Sequence, residues 1–518
     1  MRALYSQTGG ISIPVRFLLI YPDFLEETKH LRNIPGNYSE GLASISAVLK
    51  AAGHSVSLYH QTFMPDREEF LSAVRGFAPD IIGFSMRTTV MPFVAEMAAW
   101  LDGEMPDIPV MAGGYHPTLV PEICLALRGV DAVCIGEGEY PLRELADAWA
   151  ETKTLKTDIE SFYFKLPNGD IVKNPVRPLI EELDELPFPD IDLFDFKNLR
   201  TGRINTAMVM VSRGCLFSCT YCGNSQFRNV YPNRKKYARF RSPENALKVV
   251  TRILEKDSDV KFLEFRDAIF NMYPDWFYEF MPLYTKHVRL PFNCNLRFDC
   301  LDERMVRTLA EGGCYMIDIG LESGNEAFRT KYLHRTMKND HMIEVSHWLR
   351  QAKITTCTYN IVGLPHETLS LALETVKLNA RMDVDKVIAN IFYPYPATQL
   401  EKTARDAGFL DASVDPNDMV QLRQPQFSRD DVLYISYRFH KLMRKYRRIF
   451  ALPDKRKAAR REAGLDRRVL RRAHPRALIW RWDRFRDQTM RRVKRAGAKL
   501  MPKLYLWLRN SRHRGLKK

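Results

Sequence analysis

The sequence predicts an α/β protein with a doubly wound parallel sheet, then a partial (βα)6 barrel, then an α-helical, basic C-terminal extension. Short apolar runs alternate with helical stretches over residues 15–140 and again over 207–410. Such alternation is typical of parallel sheets. Lysine and arginine then accumulate, since residues 441–518 hold 29 of them against 5 Asp and Glu, a net charge of +24.

Composition sets the context for that fold. A chain of 518 residues with 45% apolar content can fill two or three domains. Its nine cysteines are an odd number, which favours metal chemistry in a reducing cytoplasm over a disulfide framework. No apolar run approaches the ~18 residues of a membrane span, and no secretory signal is evident at the start. We expect a cytoplasmic protein, either soluble or peripheral at the inner membrane face.

The first domain, residues 1–150, is predicted to contain five parallel strands. They are the apolar runs 15–20, 56–59, 80–85, 110–112 and 132–135. A helix over 41–52 places Leu42 and Leu49 on one face, and Gly53 follows where a helix end favours positive φ. Ligands of such sheets lie beyond the carboxyl ends of the strands. The candidate contacts there are Ser85, Gly113, Gly114, Gly136 and Glu137.

Residues 151–205 are predicted to be a linker. A hairpin is expected around Asn168-Gly169, and a proline-interrupted stretch follows at 183–189. The second domain, residues 206–410, repeats the strand–helix alternation six times. Its predicted strands are 207–211, 261–265, 292–297, 317–320, 358–362 and 386–392. The expected frame is an open six-stranded barrel with its chemistry at the carboxyl ends of the strands.

Three cysteines, Cys215, Cys219 and Cys222, follow the first barrel strand on one loop. Thiolates at this spacing are typical of zinc or an iron–sulfur cluster. A closed zinc site needs four protein ligands, and no second Cys or His pair follows at finger spacing. The missing ligand favours a 4Fe-4S cluster with one open iron, and structural zinc is the weaker alternative.

The spacing C-x3-C-x2-C, with Tyr221 before the last cysteine, resembles the cluster motif of radical S-adenosylmethionine enzymes. The resemblance implies S-adenosylmethionine on the open iron and its cleavage to methionine and a 5′-deoxyadenosyl radical. It also implies cofactor contacts at the barrel strand ends. These are Tyr221, Asp267, Arg297, Glu322, Ser323, Gly363 and Leu364.

Individual roles follow from the same resemblance. Glu322 is similar to the acid that holds the ribose hydroxyls, and Gly363 to the glycine beside the adenine. Arg297 is a candidate for the carboxylate or ribose, and Asp267 for the amino group, although the family's usual second acid beside Asp267 is absent. The alternatives are a surface salt bridge for Glu322 and a plain strand-end charge for Arg297.

Residues 10–150 resemble the Rossmann-like cobalamin-binding domain that is fused to one branch of these enzymes. The resemblance rests on the glycine-rich strand ends and implies cobalamin as a cofactor. The cobalt-ligating motif D-x-H-x-x-G is absent. The contexts of His60 and His116 do not match that motif, so both are predicted to be structural.

The combined cofactors resemble those of enzymes that methylate unactivated carbon, and this is the predicted function. The first alternative is a radical oxidative cyclase or ring-rearranging enzyme without methyl transfer. The second is an RNA-modifying methylthiotransferase, which expects a second cysteine set that Cys124 and Cys134 do not supply. The third, a non-enzymatic cobalamin or light sensor, is disfavoured by the intact cysteine loop.

The C-terminal region, residues 411–518, begins with helix-compatible segments over 411–437 that are expected to close one side of the barrel. Its basic tail is interleaved with Trp, Tyr and Leu, for example at 478–482 and 504–508. This composition favours an anionic membrane surface over RNA or no partner. The other expected partners are a small-molecule or lipid-like substrate and an external electron donor of the flavodoxin or ferredoxin type.

Overall fold

The structure is a computed structural model that describes residues 14–25, 28–32, 34–415, 418–471, 475–486 and 489. The chain start searched for a secretory signal, residues 1–13, lies outside the described residues, as does the aromatic stretch 504–508 of the tail. Among the residues that are described, no helix is both long and apolar enough to cross a bilayer.

The first domain is a seven-stranded sheet with helices on both faces. Its strands are β1 (Arg16–Pro22), β2 (Ser55–Gln61), β3 (Ile81–Ser85), β4 (Val110–Gly113), β5 (Ala132–Cys134), β6 (Phe162–Lys165) and β7 (Ile171–Lys173). Its helices are α1 (Glu40–Ala51), α2 (Arg67–Phe77), α3 (Met91–Glu104), α4 (Tyr115–Leu119), α5 (Pro121–Leu125) and α6 (Glu139–Thr152). The strand order is β2-β1-β3-β4-β5-β6-β7. Since the order reverses between β1 and β3, a crevice for ligands opens at the carboxyl ends of these strands.

The five predicted parallel strands are confirmed, and the predicted hairpin joins them. Strand β6 pairs antiparallel with β5, and β7 pairs antiparallel with β6. Gly169, at φ +90°, lies in the turn between β6 and β7. The hairpin, which the sequence assigned to the linker, therefore continues the first sheet.

The second domain is an open barrel. Its main strands are β8 (Thr206–Val209), β11 (Phe262–Phe265), β12 (Phe292–Leu296), β13 (Cys314–Glu322), β14 (Thr355–Val362) and β15 (Lys386–Ile391), and a small ribbon joins β9 (Ser212–Arg213) to β10 (Arg239–Phe240). Its helices are α7 (Gly223–Asn229), α8 (Pro243–Lys256), α9 (Pro274–His287), α10 (Glu303–Glu311), α11 (Glu326–Leu333), α12 (Asn339–Gln351), α13 (Leu369–Met382) and α14 (Gln399–Asp406). The order β15-β14-β13-β12-β11-β8, with every neighbouring pair parallel, confirms the six-stranded open barrel.

One apolar core connects the two domains. It includes the inner-face residues Phe17 and Leu19 of β1, the linker side chains Phe194 and Phe196, and the barrel residue Val209. The linker therefore packs as part of the core, and the strand ends of the two domains are held in a fixed arrangement.

The C-terminal region contains α15 (Arg429–Phe450), α16 (Lys455–Leu470) and a third helix over residues 476–486. The prediction of helical segments over 411–437 is wrong for the described residues before Arg429. The described residues of 411–428 form loops and isolated bridges, because Asp418 accepts hydrogen bonds from both Arg423 and Arg429 and ties the segment down. Helix α15 then begins at a capping box on Ser428. It packs on α13 and the barrel-edge strand β15, as expected for a segment that closes the barrel.

Candidate functional site

The loop that carries the three cysteines, residues 215–222, is fixed at both ends. Gly214 precedes it at φ +79°, and a Cβ there would lie 2.1 Å from the carbonyl oxygen of Tyr237, so only glycine fits. Cys222 is the N-cap of α7. Within the loop, the Thr220 hydroxyl donates a 2.5 Å hydrogen bond to the carbonyl oxygen of Tyr332. We call this segment the cluster loop.

Two buried guanidinium groups converge on the middle cysteine. Nη1 of Arg297 lies 3.5 Å from Sγ of Cys219, and Nη1 of Arg335 lies 3.7 Å from the same sulfur. Arg297 is held by the carboxylate of Asp299 and stacks over the Phe217 ring at 3.5 Å. Two cationic N–H donors therefore lie beside this sulfur.

The donor set of the loop suits a metal cluster. Burial raises the pKa of Cys215, and it raises the pKa of Cys222 to about 11, with the neighbouring sulfurs adding to both effects. Three thiolates on one loop therefore need a bound cation or cluster to offset their mutual repulsion. Within the described part of the chain, no three His, Cys, Asp or Glu side chains are placed to share a single metal ion.

The predicted S-adenosylmethionine contacts Tyr221 and Glu322 meet beside this loop. The Tyr221 hydroxyl donates a 2.9 Å hydrogen bond to Oε1 of Glu322, and Arg335 donates to the Tyr221 oxygen at 3.2 Å. Burial raises the pKa of Glu322. Glu322 has φ +67°, and such a conformation in a non-glycine residue costs about 1–3 kcal/mol and is typical of functional sites. Ser323, which follows, is fully buried, and its hydroxyl has no hydrogen-bond partner among the described residues.

The other predicted contacts have partners within the chain. The amide groups of Gly363 and Leu364 donate to Oε2 of the buried Glu367 at 2.7 and 3.1 Å. Oδ1 of Asp267 accepts hydrogen bonds from the Val211 amide and from both the amide and hydroxyl of Ser212. The structure thus gives Asp267 the task of bracing the chain just before the cluster loop, and its contact with the cofactor's amino group stays a prediction.

A cavity of about 510 Å³ lies between the two domains. All five residues predicted from the first sheet line it: Ser85, Gly113, Gly114, Gly136 and Glu137. The barrel side contributes Arg213 and Gly214, which directly precede the cluster loop. A Cβ at Gly113 would meet only the Cβ of Cys134, at 3.7 Å, so the strand end leaves room for a flat ring against the backbone.

An ion network lines one side of this cavity. Oε1 of Glu137 accepts hydrogen bonds from Arg213 at 3.0 Å and Arg239 at 2.9 Å, and Glu139 accepts from Arg213 at 2.5 Å. Burial alone would raise the pKa of Glu137, but the two guanidinium groups hold it below its usual range. Glu137 therefore joins the domains as well as lining the cavity.

Comparison with known families decides the identity of the chain. Residues 38–146 match the B12 binding domain, and residues 209–378 match the radical SAM superfamily. The chain is a radical S-adenosylmethionine enzyme with a cobalamin-binding domain. Its cofactors are a 4Fe-4S cluster, S-adenosylmethionine and cobalamin.

Relatives of this radical S-adenosylmethionine enzyme span most of its length. An uncharacterized methyltransferase of Pyrococcus horikoshii is 27% identical over 330 residues, 63% of this chain and 70% of the relative. An anaerobic magnesium-protoporphyrin IX monomethyl ester cyclase of Rubrivivax gelatinosus is 24% identical over 398 residues, 74% of this chain and 69% of the relative. The solved structure of the cobalamin-dependent radical enzyme OxsB with aqua-cobalamin bound has a TM-score of 0.67 at 17% identity, covering 94% of this chain and 81% of OxsB.

Two histidines of the cobalamin-binding domain stand apart from the cavity. His60 lies 3.2 Å from Asp23 and stacks on Tyr21, and His116 lies 3.2 Å from Thr88. Neither ring is among the residues that line the cavity. Both positions agree with the structural role predicted for them.

Sequence reasoning missed four charged residues of the radical enzyme's site: Arg213, Arg239, Arg335 and Glu367. Arg335 lies in the connection between α11 and α12, after His334 at φ +52°. Arg239 lies on the two-residue strand β10. Only Arg213, two residues before the first cysteine, had a position in the sequence that could have identified it.

Proposed function

We propose that the enzyme methylates an unactivated carbon of a small or lipid-like substrate. The main observation in support is that Arg213 and Gly214, next to the first cysteine, line the same cavity as the glycine-rich strand ends of the cobalamin-binding domain. Both cofactor sites would thus border the same interdomain cavity. When bound, the cofactors supply a radical that removes a hydrogen atom from carbon and a transferable methyl group.

The residues of the chain position these cofactors. Cys215, Cys219 and Cys222 hold the cluster, and the Tyr221–Glu322 pair orients the ribose of S-adenosylmethionine. Arg297 contributes a buried positive charge beside Cys219, where it can also meet the cofactor's carboxylate. In the cavity, Ser85 and the strand-end glycines bind cobalamin through backbone contact.

Oxidative cyclisation without methyl transfer is the second candidate, and the similarity to the Rubrivivax cyclase favours it. The two reactions differ in their products. Methylation yields both 5′-deoxyadenosine and S-adenosylhomocysteine, whereas cyclisation needs no S-adenosylhomocysteine. A single assay therefore separates them.

The test is anaerobic reconstitution with iron, sulfide and hydroxocobalamin, followed by metal quantitation and product analysis with reductant and S-adenosylmethionine. We expect about four irons and one cobalt per chain, with both products formed. Iron and 5′-deoxyadenosine without cobalt or S-adenosylhomocysteine would contradict methyl transfer. Cobalt and 5′-deoxyadenosine without S-adenosylhomocysteine would favour the cyclase reading.

We further propose two partners for this enzyme at the cytoplasmic side of a membrane. An electron donor of the flavodoxin or ferredoxin type would reduce the cluster. An anionic membrane surface would bind the basic C-terminal region, where a lipid-like substrate could be met. The high density of arginine in α16 and in the helix 476–486 supports this second partner.

A further inference from the structure

Helix 476–486 has two faces of different character. Its inner face is fixed to α15, because Trp480 donates a 2.9 Å hydrogen bond to Asp430 and Arg476 pairs with Asp431 at 3.0 Å. Asp483 is fully buried and pairs with Lys441 at 2.6 Å. The orientation of the helix on the protein is therefore set by ion pairs and packing.

The outer face of the same helix is apolar and exposed. Leu478, Trp482 and Phe485 follow one another at a spacing of four and three residues, so they share one side. They are 69%, 63% and 61% exposed, and the rings of Trp482 and Phe485 lie 6.0 Å apart. We call these three residues the outer triad.

Arginines flank the outer triad. Arg481 and Arg484 are exposed, and neither has a carboxylate partner within the described ranges of the chain. A large aromatic and aliphatic face beside exposed arginines is the pattern of a helix that lies in a membrane interface. RNA bases could stack on the two rings, but the aliphatic Leu478, the most exposed of the three side chains, completes an apolar face that suits acyl chains better.

We propose that the outer triad with Arg481 and Arg484 docks on an anionic lipid surface. The triad enters the boundary between headgroups and acyl chains, and the arginines meet the lipid phosphates. Because the inner face is fixed to α15, which also packs on the barrel-edge strand β15, the docked helix would link the barrel firmly to the lipid surface. The inference deepens the membrane partner proposed above and does not depend on the reaction.

Vesicle flotation of the full-length holoenzyme tests this proposal. The vesicles are pure phosphatidylcholine, or phosphatidylcholine mixed equally with phosphatidylglycerol. We expect binding to the mixed vesicles that weakens with added salt, and little binding to the neutral ones. Equal binding to both vesicle types, or no binding to either, would overturn the proposal.

Two double variants, each with its own control, locate the docking surface. Trp482→Ser with Phe485→Ser should weaken vesicle binding on the order of tenfold or more, whereas Ile123→Ser with Ile171→Ser, at exposed apolar sites of the first domain, should leave it unchanged. Arg481→Gln with Arg484→Gln should weaken it about 30-fold, since each basic residue contributes about fivefold. Arg456→Gln with Arg460→Gln on α16 is the charge control and should have a smaller effect.

The contradicting outcomes are specific. If the triad variant binds vesicles like the wild type, basic charge alone carries the binding and the docking face is wrong. If the same variant converts a dimer to a monomer in sedimentation, the triad is covered by a second copy of the chain. If RNA competes with vesicles for the wild-type protein and the triad variant binds vesicles as the wild type does, the partner is a nucleic acid and not a lipid surface. Circular dichroism and metal content report whether each variant is folded, and product formation is measured separately.

Discussion

At the cluster loop the proposed ligands are side chains of one contiguous segment, whereas the interdomain cavity is lined by residues drawn from both domains. The cluster loop carries its three thiols within residues 215–222 and is braced by glycine and hydrogen bonds at each end. The cavity depends on backbone space at glycines and on the contact of Glu137 with Arg213 and Arg239. Loss of a single cysteine should therefore disable the cluster loop. The interdomain cavity should instead be disabled by loss of the contact between the domains or by loss of space at its glycines.

Removing a cysteine breaks the first site without touching the second. Cys219→Ala should abolish iron retention and cleavage of S-adenosylmethionine, because three protein ligands are the minimum that holds the cluster. Cobalamin binding should stay within about twofold of the wild type, since this side chain does not line the cavity. Cys300→Ala, outside the loop, is the matched control and should keep its iron. A Cys219→Ala protein that retains four irons would refute the assignment.

Removing a charge of the ion network should affect the second site most. Glu137→Gln leaves Arg213 and Arg239 without their shared carboxylate, and breaking such a buried pair costs about 3 kcal/mol. We expect a lower denaturant midpoint and weaker cobalamin binding. Glu122→Gln, which breaks the exposed pair with Lys173 in the same domain, should leave the midpoint near that of the wild type. Equal effects of both variants would mean that the network does not hold the domains.

The two sites also differ in how far the sequence could predict them. The sequence could place the cysteine loop, Tyr221 and Glu322 near one another, because a short motif and the strand-end rule apply to contiguous residues. The glycines of the cavity followed from the same rule. Arg335 and Arg239 were not found, since one lies in a helix–helix connection and the other on a two-residue strand, and only the folded chain brings them to the site.

In the C-terminal region, the sequence predicted more helix than the structure contains. Its helix-compatible composition predicted helices from residue 411, but the tertiary contacts of Asp418 with Arg423 and Arg429 hold the first part as loops. Local propensity is a weak guide where charged side chains find distant partners. The strands of both domains and their parallel alternation with helices, by contrast, follow from hydrophobic runs along the chain.

The buried carboxyl group of Glu367, which accepts hydrogen bonds from the amides of Gly363 and Leu364, gives a pH test. Burial raises the pKa of Glu367 from 4.5 to about 8, so the folded chain keeps this proton between about pH 4.5 and 8 while the unfolded chain releases it. Stability should therefore fall as pH rises through that window, by on the order of 2–4 kcal/mol. Glu367→Gln should flatten the slope, whereas Glu255→Gln, on an exposed position of α8, should not. An unchanged slope in Glu367→Gln would show that another group controls it.

The smallest expected effect on stability gives the sharpest test of the cavity. A Cβ at Gly113 would make only an ordinary 3.7 Å contact with Cys134, so Gly113→Ala should change the free energy of unfolding by less than about 1 kcal/mol. The added methyl group nevertheless takes space at the strand end, and cobalamin affinity should fall several-fold.

Gly103→Ala in α3, where a Cβ meets nothing within 4 Å, should stabilise the chain by about 1 kcal/mol and leave cobalamin binding unchanged. Titration of hydroxocobalamin into both variants measures the effect on cobalamin affinity. Denaturant unfolding of the same variants measures the effect on the stability of the domain. If Gly113→Ala binds cobalamin like the wild type, the ring does not lie against this strand end.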